Sequence, residues 1–595
     1  MGRRQVVLLL LCTAAFGGPS LKSLFDPGHK DYSLRHYTWE EWQGLGPEQR
    51  DKAKGIDPDR WLASPSEQEQ QDPDATQDDD AGVGGLGIGG GGGGQQPARW
   101  PGFHFEGRLR QKQKAFEQLV GPGAPSMIAG LVKQLKRIDK ADAQLAKMLA
   151  AIEERYVRVK EAFDKIREQQ IRAFKREHDG RHPGPRDNVQ SSFPQGFLPN
   201  YYQKSKQFQS ALALMQSEGH FHEWVVRRVG DLVGGMTPQE RKAPLAALKA
   251  GVQSKSWRQR QRCGRILAGV DGPEARALFG NALLKEEDPI VIRSHIDIAT
   301  RARYPGLTAI LAKRLADPQW PVRAGVIQAL EAQRSKEAVD LLIARLDHEH
   351  GRVKDDLVEA LAALTGRRME PNSATWKLWW DKARATWAPP PKGADRIDLD
   401  AKQDGVYFYG IQTRSKRIVF CIDISGSMDF PLDGQGGRKP ARILRAKKEL
   451  LKALGALRPD ASFAIVVYNA GVATWSEGRM RLATGRTKEK ARRFVEGLEP
   501  LGATNIFDAL QLSLQICGPP RGKQHGPRGD TIFFLTDGRP TAGKIVDARL
   551  ILQEITRLNR QYGVVIHAIG VSKEQNHAFL RALAKRNRGR YVKYE

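Results

Sequence analysis

The sequence predicts a multidomain protein: an α-helical coiled coil, an α-solenoid of short helical repeats, and a C-terminal α/β domain with a doubly wound parallel sheet. Three observations carry this prediction. A heptad runs through residues 128–166, an aspartate-led motif recurs about every thirty residues between 288 and 354, and apolar runs alternate with amphipathic stretches after residue 415. At 595 residues the chain is longer than a single hydrophobic core serves. Its composition, 40% apolar and 27% charged, excludes a polytopic membrane protein and a wholly disordered chain. Four cysteines are too few for a disulfide framework. Lysine and arginine (95) exceed aspartate and glutamate (68) by 27, so the surface is positive, which leaves nucleic acid, an acidic envelope polymer, an anionic membrane face and acidic proteins all open as partners.

The first residues bear on compartment. Met1-Gly2-Arg3-Arg4 is basic, Val6 to Phe16 is mostly apolar, and small residues follow near Ala15 and Gly17. That run is too short to span a bilayer and fits a secretory signal peptide over 1–18, which implies an extracytoplasmic protein, secreted, periplasmic or bound to the cell envelope. The arm from 19 to 105 is low in complexity. Glu67 to Asp80 carries only negative charge and Gly82 to Gly94 is nearly all glycine, a composition that buries too little apolar area to offset chain entropy.

Residues 106–180 predict a coiled coil or long helix. Ile128, Leu131, Leu135, Ile138, Asp142, Leu145, Leu149, Ile152, Tyr156, Val159, Phe163 and Ile166 alternate in steps of three and four, and all but Asp142 are apolar. The seam requires a partner helix, from a second copy of the chain or from this one; spacing leaves both open. Between 200 and 388 the chain reads as stacked helices. Asp288-Pro289-Ile290-Val291-Ile292-Arg293 recurs as Asp317-Pro318-Gln319-Trp320-Pro321-Val322-Arg323, and more weakly as Asp347 with Val353-Lys354. Aspartate caps a helix and proline suits its first turn, while the branched and basic residues pack on the next repeat. This pattern resembles HEAT repeats, which implies a surface for a second interaction. The aromatic run Trp376-Lys377-Leu378-Trp379-Trp380 closes the stack, and Pro389-Pro390-Pro391 opens a linker over 389–414. Few contacts should cross such a linker.

From 415 to 595, strands are predicted at 417–422, 463–468, 531–535 and 564–570, with helices between them. Strands apolar nearly throughout indicate a parallel sheet covered on both faces, which binds ligands beyond the carboxyl ends of its strands. Asp423-Ile424-Ser425-Gly426-Ser427 stands at such an end. Thr504, before a helix, and Asp537, after a strand, occupy comparable places. Three hydroxyls and two carboxylates form an all-oxygen set suited to magnesium or manganese and poor for zinc.

These residues resemble the metal-ion-dependent adhesion site of the von Willebrand factor type A (vWA) domain, a Rossmann-like fold with the pattern Asp-x-Ser-x-Ser, then Thr, then Asp. By that resemblance Ser425, Ser427 and Thr504 ligate Mg2+ or Mn2+ directly, Asp423 and Asp537 hold it directly or through water, and a partner protein's carboxylate completes the shell. The expected function is then a non-enzymatic, exported scaffold or adhesion-type protein. The alternative is a structural polyanion-binding envelope protein, met by an anionic polymer, in which the metal only stabilises. Other signals carry less. Gly518-Pro519-Pro520-Arg521-Gly522-Lys523 is too short for a phosphate loop and is followed by Gln524. Ser427 lacks the context of a nucleophile elbow, and no histidine base stands near Asp423 or Ser425 in sequence. His220-Phe221-His222 and His348-Glu349-His350 each offer too few ligands. No aromatic-interleaved basic pattern of a nucleic-acid reader is present, and the basic end from Arg581 to Lys593 has two readings, a polyanion contact and, ahead of it, a solvated helix face.

Overall fold

The computed structural model describes residues 105–120, 124–178, 197–391, 397–398, 405–431, 441–518, 528–572 and 576–594. The signal segment at 1–18 and the arm up to residue 104 lie outside them. Contacts divide the chain into two units. In the first, the described residues are 105–119, from helix α1 (Phe105–Val120), and 210–221. Its buried Lys112 donates to Glu218 at 2.7 Å and sits 5.2 Å from the centroid of the Phe221 ring, so the buried ammonium is paired.

In the second unit the heptad falls on α2 (Pro125–Gln134) and α3 (Lys136–Glu177), which meet at Leu135. Ile128, Leu131, Leu135, Ile138, Leu145 and Tyr156 are buried, and Leu149 is half-buried. What buries them belongs to this chain. Beyond α4 (Phe197–Gly234), α5 (Pro238–Val252) packs on α2, and Tyr156 stacks on Phe208 with centroids 5.1 Å apart. Asp142, the polar seam residue, accepts from Arg262 at 3.1 Å and lies 2.9 Å from His222 Nδ1. Of the two partners left open for the seam, a helix of this chain covers its buried positions over 128–156, while Leu149 and Ile152 stay half-buried.

The repeats comprise α6 (Trp257–Ala268), α7 (Pro273–Lys285), α8 (Pro289–Arg301), α9 (Leu307–Arg314), α10 (Trp320–Gln333), α11 (Lys336–Arg345), α12 (Gly351–Thr365) and α13 (Ser373–Ala383). Helices α6, α8, α10 and α12 pack successively side by side. The aspartate motif starts each copy differently. Asp288 caps α8, accepting from Ile290 N at 2.9 Å. Asp317 instead accepts at 2.9 Å from the N–H of Gln319, the residue just before α10, and Asp347 turns to the N-terminus of α13, accepting from Ser373 N at 3.0 Å. Charge is paired across the stack. Arg260 grips Glu286 bidentately at 2.8 and 3.0 Å, and Arg323 grips Glu349 at 2.7 and 3.1 Å.

The stretch read as a linker is largely structural. Strand β1 (Arg367–Arg368) pairs in parallel with β2 (Ile397–Asp398), and β3 (Val406–Phe408) forms a hairpin with β4 (Ile411–Thr413). Val406, Phe408 and Ile411 enter the same core as Phe420 and Phe533, with the Phe408 ring 5.4 Å from each of those two rings. The head therefore begins before residue 415.

Its elements follow as β5 (Arg417–Asp423), α14 (Arg442–Ala456), β6 (Ser462–Tyr468), β7 (Val472–Thr474), β8 (Arg481–Leu482), α15 (Gly485–Glu496), α16 (Ile506–Cys517), β9 (Thr531–Thr536), α17 (Ala548–Tyr562), β10 (Val565–Gly570), α18 (His577–Arg586) and β11 (Arg588–Lys593). The sheet runs β11-β10-β9-β5-β6-β7, with β8 also on β6. The predicted central strands are parallel, but β7 and β8 are antiparallel, so the sheet is mixed at that edge. Cys263, Cys421 and Cys517 are buried free thiols.

Repeats and head touch extensively, contrary to the expectation from the linker. Trp320 of α10 lies between Arg352 of α12 and Arg417 of β5, at 5.1 and 5.4 Å from ring to guanidinium. Arg352 donates to Gly563 O at 2.6 Å, and Asp355 accepts from Arg414 N at 2.8 Å and Nη1 at 2.6 Å. Gly563 ends α17 at φ 69°, and a Cβ there would fall 2.4 Å from Arg293 Nη1. Among the described residues no helix is long and apolar enough to cross a membrane.

Candidate functional site

The five residues singled out by their chemistry sit where the sheet topology puts ligands, past the carboxyl ends of β5 and β9 and on the loop before α16. Asp423 is the last residue of β5, aligned with Tyr468 at the end of β6. Asp423 Oδ1 accepts from Ser425 N at 2.8 Å, which bends the chain so that both serines turn back over the strand end. The Ser425 and Ser427 hydroxyls lie 3.2 Å apart, and Ser427 donates to Asp537 Oδ1 at 2.8 Å. Gly426 N donates to Gly502 O and Leu501 N to Ile424 O, both at 2.9 Å, tying the first loop to the one that carries Thr504. Thr504 is fixed in turn by Thr541, whose Oγ1 accepts from Thr504 N at 2.9 Å. A Cβ on Gly538 would lie 3.7 Å from Thr504 Oγ1 and 3.9 Å from Ser427 Oγ, so these hydroxyls face one point beside Asp537. Three separate loops thus bring all five residues together.

Two neighbours escaped the sequence reading. Thr536 donates to Asp423 Oδ2 at 2.7 Å, and Arg442 donates to Asp537 Oδ2 at 3.0 Å. Thr536 directly precedes Asp537 in sequence, a hydroxyl beside a carboxylate at a strand end. Arg442 opens α14, and nothing in its spacing marks it as part of the site. Farther along the same edge, Lys160 of α3 donates to Ala470 O at 2.9 Å, and Lys544 reaches Glu153 of α3 at 2.5 Å. The heptad helix therefore borders the loops around the site.

The electrostatics are uneven. Asp423 is fully buried and Asp537 nearly so. Burial, and then the charge of Asp537, push the Asp423 carboxyl up to about 7. Asp537 is also raised by burial, against the opposing hydrogen bonds from Ser427 and Arg442. Arg442 pairs with Asp537, whereas Asp423 is met by the Ser425 N–H and the Thr536 hydroxyl. Among the described residues no group of three or more His, Cys, Asp or Glu is placed to hold a metal, as expected of a set built mainly from hydroxyls. The donors present, two carboxylates in excess of local positive charge with three convergent hydroxyls, fit a hard divalent cation.

Two segments of the chain match known families. Residues 418–595 match the model of the von Willebrand factor type A domain. The match falls on the head. Upstream, residues 279–362 match HEAT repeats. The chain is 32% identical over 183 residues to inter-alpha-trypsin inhibitor heavy chain H4 of Homo sapiens, covering 30% of this chain and 18% of that protein. It is 31% identical over 189 residues to heavy chain H3 of Mesocricetus auratus, covering 31% and 20%. The chain thus spans about a fifth of the length of these curated relatives. Among solved structures, a von Willebrand factor type A protein from Catenulispora acidiphila is similar at 21% identity and a TM-score of 0.26, covering 31% of this chain and 40% of that one. Manganese-loaded TRAP protein of Plasmodium vivax is similar at 21% identity and a TM-score of 0.23, covering 30% and 67%.

Proposed function

We propose that the vWA domain is a protein-binding head that works through Mg2+ or Mn2+. The observation that carries this reading is the meeting of Asp423, Ser425, Ser427, Thr504 and Asp537 at one sheet edge, with more buried negative charge than Arg442 offsets. Ser425, Ser427 and Thr504 would supply neutral ligands, with Asp423 and Asp537 holding the ion directly or through water. A cation held by so few carboxylates stays electron-poor, which is the chemistry it contributes: affinity for an anionic group, such as a partner's carboxylate. The chain's own residues do the rest. Thr536 and Ser425 N orient Asp423, Arg442 limits the negative charge of the bare site, and Thr541 fixes the Thr504 loop.

In this reading the protein is a non-enzymatic, exported scaffold in which the repeats position the head and offer a second binding surface. Titration of Mn2+ into the full chain by calorimetry tests it. Wild type should bind one ion per chain, and Thr504→Ala and Asp423→Ala should lose that binding while keeping the wild-type circular dichroism spectrum. Absence of binding to wild type by both Mg2+ and Mn2+ would overturn the reading.

A further inference from the structure

The basic C-terminal segment does not simply face solvent. It borders a cleft of about 1020 Å³ between repeats and head, far from the candidate metal site. Thr531 and Val565, the first residues of β9 and β10, line this cleft, whereas Asp423 and Asp537 lie past the opposite ends of their strands.

Its charge is unbalanced. Among the described residues, eight arginine and lysine side chains line the cleft against four carboxylates. One oxygen of Glu359 accepts from both Arg368 of β1 and Arg590 of β11. Asp356 pairs with Arg352 at 3.1 Å, leaving Arg588 at 4.0 Å from it and 3.7 Å from Glu331, the outer limit of ion pairing. Arg588 is held there at φ 60°, a conformation that costs a non-glycine residue free energy. Arg581 and Lys585, one turn apart on α18, are exposed and make no ion pair with any described residue. Behind this wall, Arg293 Nη1 is buried with no hydrogen-bond acceptor among the described residues. Burial, then the charges of Arg352 and Arg588, lower the Arg293 guanidinium to about 10. The fold thus gathers more positive charge at one concave place than it neutralises.

We propose that this cleft binds a small polyanion bearing clustered phosphate or sulfate oxyanions. The cationic groups are almost all arginine, whose planar fork suits oxyanions bidentately. The volume is that of a small-molecule site, and the two walls come from separate halves of the chain, so a bound anion would bridge them. This assignment is independent of the metal reading.

The test is calorimetric titration of tripolyphosphate into the full chain at fixed ionic strength. EDTA is present throughout, so chelation of a site metal contributes nothing and failure of one proposal says nothing about the other. Wild type should show saturable binding, weakened at least tenfold in Arg581→Ala/Lys585→Ala. The control Arg486→Ala/Lys490→Ala removes the same charge from the exposed face of α15 and should bind as wild type does. A sulfated disaccharide titrated in parallel distinguishes the sources, the tighter ligand naming the oxyanion. Absence of saturable binding by both ligands, or equal weakening in the two double variants, would overturn the proposal.

Discussion

The repeat stack and the α/β head both bury charge, and they treat it in opposite ways. In the stack each buried carboxylate of the ladder meets an arginine with full geometry. Burial alone would raise the Glu286 carboxyl, but the bidentate Arg260 outweighs it and holds that group below the usual carboxylate range. In the head Arg442 answers only Asp537, and burial with the charge of Asp537 pushes the Asp423 carboxyl up to about 7. Paired charge is structural, and removing one partner strands the other. Under-paired charge is a standing cost, which a ligand of opposite sign removes.

This contrast can be broken by substitution. Arg260→Ala should cost about 3–5 kcal/mol in urea unfolding, because it leaves Glu286 buried without its partner. Asp423→Asn in the metal-free protein should cost nothing or add stability, since it relieves repulsion with Asp537. If the two variants lose similar stability, the distinction between stack and head fails. Metal sharpens it next. Mn2+ at a hundred times its Kd should stabilise wild type by about 2.7 kcal/mol and leave Asp423→Asn unmoved. Differential scanning calorimetry with and without the ion reads both.

The smallest effect is in pH dependence. A carboxyl raised toward 7 binds its proton more tightly in the folded state, so Asp423 makes stability fall as pH rises from about 4 to 7. Buried His295 in the stack and His567 in the head do the reverse. Burial lowers them to about 4 and about 3, so each contributes stability that is lost as pH falls below 6.5. In metal-free wild type these slopes oppose one another. Asp423→Asn should therefore show stability rising more steeply from pH 5 to pH 7 than wild type does, measured by chemical denaturation at both values.

Much of this was readable in the residues. The central strands of the head were found because their apolar runs have no alternation, and the site because its five residues lie at strand and helix ends, where the backbone must turn. What escaped is what short or borrowed structure hides. Strands β7 and β8 are three and two residues long, too brief for a period to register. The β3–β4 hairpin follows a triple proline, and its burial depends on Phe420 and Phe533, which lie farther along the chain. Strand β11 reads as basic and solvated because its arginines face a charged cleft rather than an apolar core. Asp347 carries the motif of Asp288 yet serves another helix, since an N-cap preference is local and the neighbour that recruits it is not.

The approach of Arg293 to Gly563 couples two segments of the chain. Residue 563 sits in the head and residue 293 in the repeats, within two segments that separate family models match. A Cβ at 563 would meet the guanidinium, the far end of a flexible side chain, and φ 69° adds strain for any residue but glycine. Exchange of either module for that of another protein would have to rebuild this contact.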